Sequence, residues 1–161
     1  MASVFNLRNA TFTISDYASA HFIAVVIGDG NIVYEEKINR EYLMNRGHVY
    51  AVVNGDDVPM DVSFDFWWQY IRGTGGTVTV EDALKQVGNA SGWTSSDNDN
   101  CSPYCVDLTI LFTPLCLAEA IESVVLPYFR YESLNHDAKA RQISCKGRCN
   151  ATMATVTRIA Q

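Results

Sequence analysis

Apolar and polar positions alternate most plainly after Pro59, where Val62, Phe64, Phe66 and Trp68 interleave with Asp61, Ser63, Asp65 and Trp67. A period of two puts the first set on one face of a strand and the aspartates on the other. Adjacent tryptophans send one ring to each side, so the polar face calls for a covering element or a partner near Trp67. The alternation returns between Asp107 and Thr113, with Leu108, Ile110 and Phe112 inward. A first strand centres on Ala10 to Ile14. The run from His21 to Ile27 is apolar at odd and even positions alike, which predicts a strand covered on both faces. It enters Gly28-Asp29-Gly30-Asn31, whose Asp-Gly step predicts a tight hairpin turn, with Ile32 to Ile38 as the returning strand. Arg46-Gly47 and Asn54-Gly55-Asp56-Asp57 bracket a short apolar strand, His48 to Val53, and the second bracket reads as a polar hairpin tip. Val124 to Glu132 and Gln142 to Ile159 supply the last strands.

One segment carries a helical period. Thr79 is placed to cap it, Glu81 and Asp82 fall in the first turn where the helix dipole favours acids, and Val80, Leu84 and Val87 share a face. Asp82 stands where a capping box usually has Glu or Gln, so that match is partial. Lys85 falls in the last turn and Gly88 is expected to end the helix. Gly73-Thr74-Gly75-Gly76 before it reads as a flexible link, and residues 88–103 after it as a polar loop pinned by Trp93. Many short strands, turns and one helix predict a mainly β fold, a β-sandwich or partly closed β-barrel with a short flanking helix.

Composition narrows the class. A chain of 161 residues suits one domain, 1–161, with an extended loop or hairpin around 40–60. The net charge of −6 argues against tight wrapping of nucleic acid, which needs clustered Lys and Arg. Met1 to Ala10 shows neither the basic start nor the apolar stretch of a secretory signal, and no apolar run reaches the ~18 residues of a membrane span. Synthesis in a cytoplasm is therefore expected.

The 5 cysteines fit a reducing compartment poorly, and the odd count leaves one without an internal partner. Cys101-x3-Cys105 and Cys145-x3-Cys149 invite a zinc reading, at a spacing looser than the usual two intervening residues. Free thiols and disulfides, within or between subunits, are the competing readings. On a straight strand Cys145 and Cys149 would lie ~13 Å apart, beyond bonding reach. A turn at Gly147 would bring them together, the loop around Pro103 would do so for Cys101 and Cys105, and Cys116 is the odd one out. His21, His48 and His136 have no nucleophile at a catalytic spacing, and His21 reads as a satisfied sheet residue. Gly28-Asp29-Gly30 lacks the further residues of a phosphate loop. Asp61 and Asp65, ~13 Å apart along one strand face, are too distant to act as a carboxylate pair on one bond. No cofactor and no catalytic activity are expected.

One connected pattern runs from Ile27-Gly28-Asp29-Gly30-Asn31 through Tyr34-Glu35-Glu36-Lys37, Tyr42 and Arg46-Gly47 to Val53-Asn54-Gly55-Asp56-Asp57-Val58-Pro59-Met60-Asp61-Val62-Ser63-Phe64-Asp65-Phe66-Trp67. Thr79-Val80-Glu81-Asp82-Ala83-Leu84, Val106-Asp107-Leu108-Thr109-Ile110 and Ile143-Ser144-Cys145-Lys146-Gly147 follow in order. In this the chain resembles the small tail tube proteins of tailed bacteriophages. The resemblance implies a virion structural subunit, made in the bacterial host cytoplasm, that forms hexameric rings stacked into a hollow conduit for the genome. Its partners would be further copies of itself and the tail sheath, tape measure, terminator and baseplate proteins. Open sheet edges that need partners agree with such assembly. An acidic wall would let DNA slide, and Asp61 and Asp65 are the candidates to face the lumen because their strand face is polar. Asp56 or Asp57 meeting Arg40 or Arg46 of a neighbouring ring is the candidate contact. A capsid decoration or tail-terminator protein, stopping at a trimer or a single ring, is the alternative within the virion. A zinc-stabilised binding module built on the four paired cysteines is the alternative outside it.

Overall fold

The computed structural model describes residues 4–28, 30–70, 76–116 and 118–160. Asp29 of the expected turn and Gly73-Thr74-Gly75 of the expected link lie outside them. The described strands are β1 (Ala10–Ser15), β2 (Phe22–Ala24), β3 (Ile32–Glu35), β4 (Arg40–Asn45), β5 (His48–Asn54), β6 (Met60–Trp67), β7 (Val106–Phe112), β8 (Ile121–Asp137), β9 (Gln142–Cys149) and β10 (Thr155–Ile159). Helix α1 (Val80–Lys85) lies between β6 and β7. The fold is mainly β with one short helix, as the alternation predicts.

An antiparallel sheet runs β2-β1-β7-β8-β9-β6-β3, with β10 added to β8, while β4 and β5 form a separate hairpin. β2 and β3, consecutive in the chain, stand at opposite ends of that order. The expected hairpin at Gly28-Asp29-Gly30 is thus corrected: β2 pairs with β1 and β3 pairs with β6. The connector bridges the gap instead. Val25 N–H donates to Phe12 O (2.8 Å) and Trp67 N–H to Val26 O (3.0 Å), so the sheet curls round towards a barrel. Phe12 of β1 meets Phe64 of β6 edge-on, 5.1 Å between centroids, which confirms the curl from inside.

Register follows the alternation. Phe64 opposes Cys145 and Phe66 opposes Ile143, and all four side chains are buried. Phe12, Ile14, Leu108, Leu126 and Phe129 complete the centre of the core. Strand β8 pairs with β7 on one edge and divides its other edge, holding β10 along Ile121–Val125 and β9 from Phe129 onward. The change falls at Pro127-Tyr128, where Tyr128 adopts φ 56° and its N–H goes to Asp107 Oδ1 (3.1 Å).

Two expectations fail at the margins. His21 to Ile27 is an edge, not a doubly covered strand: β2 is three residues long and Phe22 is exposed. Helix α1 ends at Gln86, in a left-handed conformation at φ 56°, rather than at Gly88, and this turns Val87 outward. Ala83 takes the buried position beside Val80 and Leu84. The N-terminal expectation holds, since Thr79 accepts from Asp82 N–H. Trp93 is buried, and Gln86 Nε2 donates to its carbonyl (2.6 Å), anchoring the polar loop.

Candidate assembly interface

Strands β4 and β5 pair only with each other among the described residues. Tyr42 opposes Val52 and Leu43 opposes Ala51, with a bulge after Leu43. Alternation then places Tyr42 and Val52 on one face and Leu43, Ala51 and Val53 on the other. All of these but Ala51 are exposed, as are Met44, Val49 and Tyr50. Neither face is hidden, and an isolated two-stranded ribbon is marginal in water. The hairpin is therefore a segment whose sequence asks for a cover it does not find among the described residues.

The tip is Arg46-Gly47, with φ 51° and 83°, a two-residue turn in which both central residues are left-handed. Glycine adopts this freely, whereas the arginine costs about 1–2 kcal/mol. Asn54-Gly55-Asp56-Asp57, expected at a hairpin tip, lies at the root. There Gly55 N–H donates to Asn39 O (2.8 Å), and a Cβ on Gly55 would stand 2.6 Å from Asn39 Nδ2. Ala154 N–H donates to Glu36 Oε1 (3.1 Å), tying the root to the turn before β10. A crevice of about 310 Å³ opens between the root and Thr152-Met153. A second, of about 530 Å³, continues from Asp57 and Met153 to Pro59 and Pro127.

Asp61 and Asp65 do share the outer, polar face of β6. That face is not a bare acidic wall. Asp61 is bound by Lys37 Nζ (2.6 Å) and by Arg148 Nε (3.2 Å), and the Lys37 hydrogen bond holds its carboxyl below the usual range. Asp65 lines a shallow groove of about 630 Å³ with Asn31, Ser63, Asn135, Ser144 and Lys146. The surface presents hydroxyls, amides and paired charges.

The cysteines divide by burial. All 5 are free thiols, with Cys101 and Cys116 exposed and Cys105, Cys145 and Cys149 buried. Gly147 sits in regular strand rather than a turn, so Cys145 and Cys149 point the same way ~13 Å apart along the chain and do not pair with each other. Burial pushes both thiols up to about 12. Cys105 Sγ lies 3.2 Å from the hydroxyls of Ser95 and Ser96, while Cys101 is outside. No group of three or more potential metal ligands converges among the described residues.

Two clusters carry no sequence signal. Asp16 is buried and accepts from His21 N–H (2.7 Å), His21 Nδ1 (2.7 Å) and Thr94 N–H (3.1 Å). Burial raises its pKa, but these hydrogen bonds outweigh burial and leave it below 3.8. His21, stacked on Trp93, is the satisfied residue expected. On the far side Trp68 meets His136 edge-on, and His136 Nε2 lies 3.0 Å from Glu81 Oε1 on α1.

No protein-family model and no curated protein matches the sequence. Solved structures do match the fold along its length. One is the sheath/tube terminator, in the extended state, of an extracellular contractile injection system, PVC: TM-score 0.57, 8% identity, covering 97% of this chain and 98% of that one. Another is the tube-terminating cap of the anti-feeding prophage: TM-score 0.55, 10% identity, covering 98% of this chain and 95% of that one. The chain has the fold of these tube-ending proteins.

Proposed function

We propose that this chain is a structural subunit that ends the tube of a phage-like tail or injection particle, as a terminator or cap. The observation that carries the reading is the end-to-end likeness to two proteins that terminate tubes, with no domain left over on either side. The repeating tube subunit expected from the sequence gives way to the terminator alternative, because both relatives close a tube rather than build one. Among the described residues the unpartnered hairpin and the free edge of β10 agree with a subunit that forms a ring with its neighbours. A six-fold ring matching the last ring of the tube, and contact with the sheath end where a sheath exists, complete the reading. It requires no catalytic step.

The test is negative-stain electron microscopy of the purified protein, alone and with preformed tubes, with and without reductant. Single rings, or density added to one end of each tube, are the expected result. Long tubes growing from the protein alone would return the tube-subunit reading. Trimers would favour a decoration protein.

A further inference from the structure

The hairpin tip and the hairpin root carry opposite charges that one molecule cannot bring together. Arg46 stands at the tip; Glu36, Asp56 and Asp57 line the root crevice with one cation, Lys37, which is bound to Asp61. The six steps from Arg40 to Arg46 along β4 set tip and root roughly 20 Å apart. Among the described residues none of Arg46, Asp56 and Asp57 enters an ion pair. The root also offers apolar surface, with Ile38 64% and Met153 63% exposed beside the crevice. A partner that fits must present a cation at the end of a narrow apolar ribbon, and β4–β5 of another copy is such a ribbon.

We infer that the β4–β5 tip of one copy seats in the root crevice of the next, Arg46 between Asp56 and Asp57, with the ribbon's apolar side chains against Ile38 and Met153. The contact is heterologous: each copy gives a tip and offers a crevice. Repeated, such a contact closes into a ring when the rotation allows and runs on as a filament when it does not. It deepens the ring reading proposed above and rests on it only for the choice of ring over filament. Apolar burial supplies affinity, and the charge pair sets register and excludes wrong seatings.

The experiment is sedimentation velocity on wild type, Arg46→Glu, the double variant Asp56→Arg with Asp57→Arg, and a mixture of the last two. The altered positions are exposed, and unchanged circular dichroism and Tm will verify that each variant folds. Wild type is expected to sediment well above the 17.9 kDa monomer. Each variant alone is expected to associate at least tenfold more weakly, since acid faces acid or base faces base. The mixture is expected to recover, because alternating copies restore opposite charges at every contact. Recovery in the mixture supports a contact in trans; a merely structural role for the charges would leave the mixture as weak as its components. Wild-type association by both variants alone, or a mixture that fails to recover, overturns the inference. A wild type that stays monomeric also overturns it, yet leaves tube capping open through assembly templated on a tube end. Rings that ignore tube ends would sink the capping reading and leave this contact standing.

Discussion

Replacing Asp16 by alanine tests whether the buried carboxylate staples the first strand to the polar loop. The side chain accepts three hydrogen bonds, from both nitrogens of His21 that face it and from Thr94 N–H, at 2.7, 2.7 and 3.1 Å. Bonds to a charged acceptor contribute about 1.5–3 kcal/mol each, and stranding their donors adds the desolvation cost of those groups. Relaxation of the half-exposed His21 ring recovers part, which leaves a net loss of about 3–5 kcal/mol. For a chain of this size that corresponds to a Tm lower by roughly 10 °C, read by scanning calorimetry. Asp16→Asn keeps one acceptor and is expected to lose about half as much. The pH dependence carries a sign. The folded pKa lies below the ordinary 3.8, so the carboxylate's contribution is complete above 3.8 and is lost as pH falls through the folded value. Wild type should therefore lose stability on acidification below 3.8 more steeply than Asp16→Asn. A loss under about 1 kcal/mol for Asp16→Ala, or equal acid slopes for wild type and Asp16→Asn, would refute the account.

Three further outcomes follow from the same geometry. A thiol reagent should modify Cys101 and Cys116 promptly in the native protein and reach Cys105, Cys145 and Cys149 only after unfolding, because the latter are buried and burial disfavours the thiolate of Cys145 and Cys149. Gly147→Ala should cost about 3 kcal/mol or more in a urea titration, since its Cβ would meet Arg130 O at 2.1 Å, and backbone of a central strand cannot step aside. Thr79→Ala should cost about 1 kcal/mol, because it removes the cap on Asp82 N–H.

Strand periods were legible because burial enforces them. β6 and β7 lie over one core, so their alternation holds through Phe66 and Ile110, while Trp68, expected inward, is exposed beyond the end of β6; the capping pattern at Thr79 is equally local. What failed depends on partners remote in sequence. Gly28-Asp29-Gly30 has the chemistry of a hairpin turn, yet β1 and β6 take up the flanking strands and turn the connector into a barrel seam. Arg46-Gly47 and Asn54-Gly55-Asp56-Asp57 are both turn signals, and only pairing of β4 with β5 decides which is tip and which is root. The Asp61 face was legible as polar but not as neutralised, because Lys37 and Arg148 arrive from 24 and 87 residues away. Asp16 could not be found at all, since an aspartate after a strand normally reads as a solvated turn.

The protein thus keeps its stability and its adhesiveness in different residues. Among the described residues the buried core draws on the curled sheet and its connectors, the helix and the loop pinned by Trp93, and none of it comes from β4 or β5. The ribbon therefore contributes little to folding, while its apolar residues, left on the surface, are a solubility burden unless they are covered in an assembly. A chain selected only to fold would have lost those residues to polar ones, because surface positions tolerate such changes at under about 0.5 kcal/mol. Their retention on both faces of one projecting ribbon, above a crevice with the opposite charge to its tip, is the pattern expected when association rather than folding sets the sequence. The same separation is what allows the tip and crevice to be recharged without unfolding the body, so that a change in assembly can be read as a change in contact.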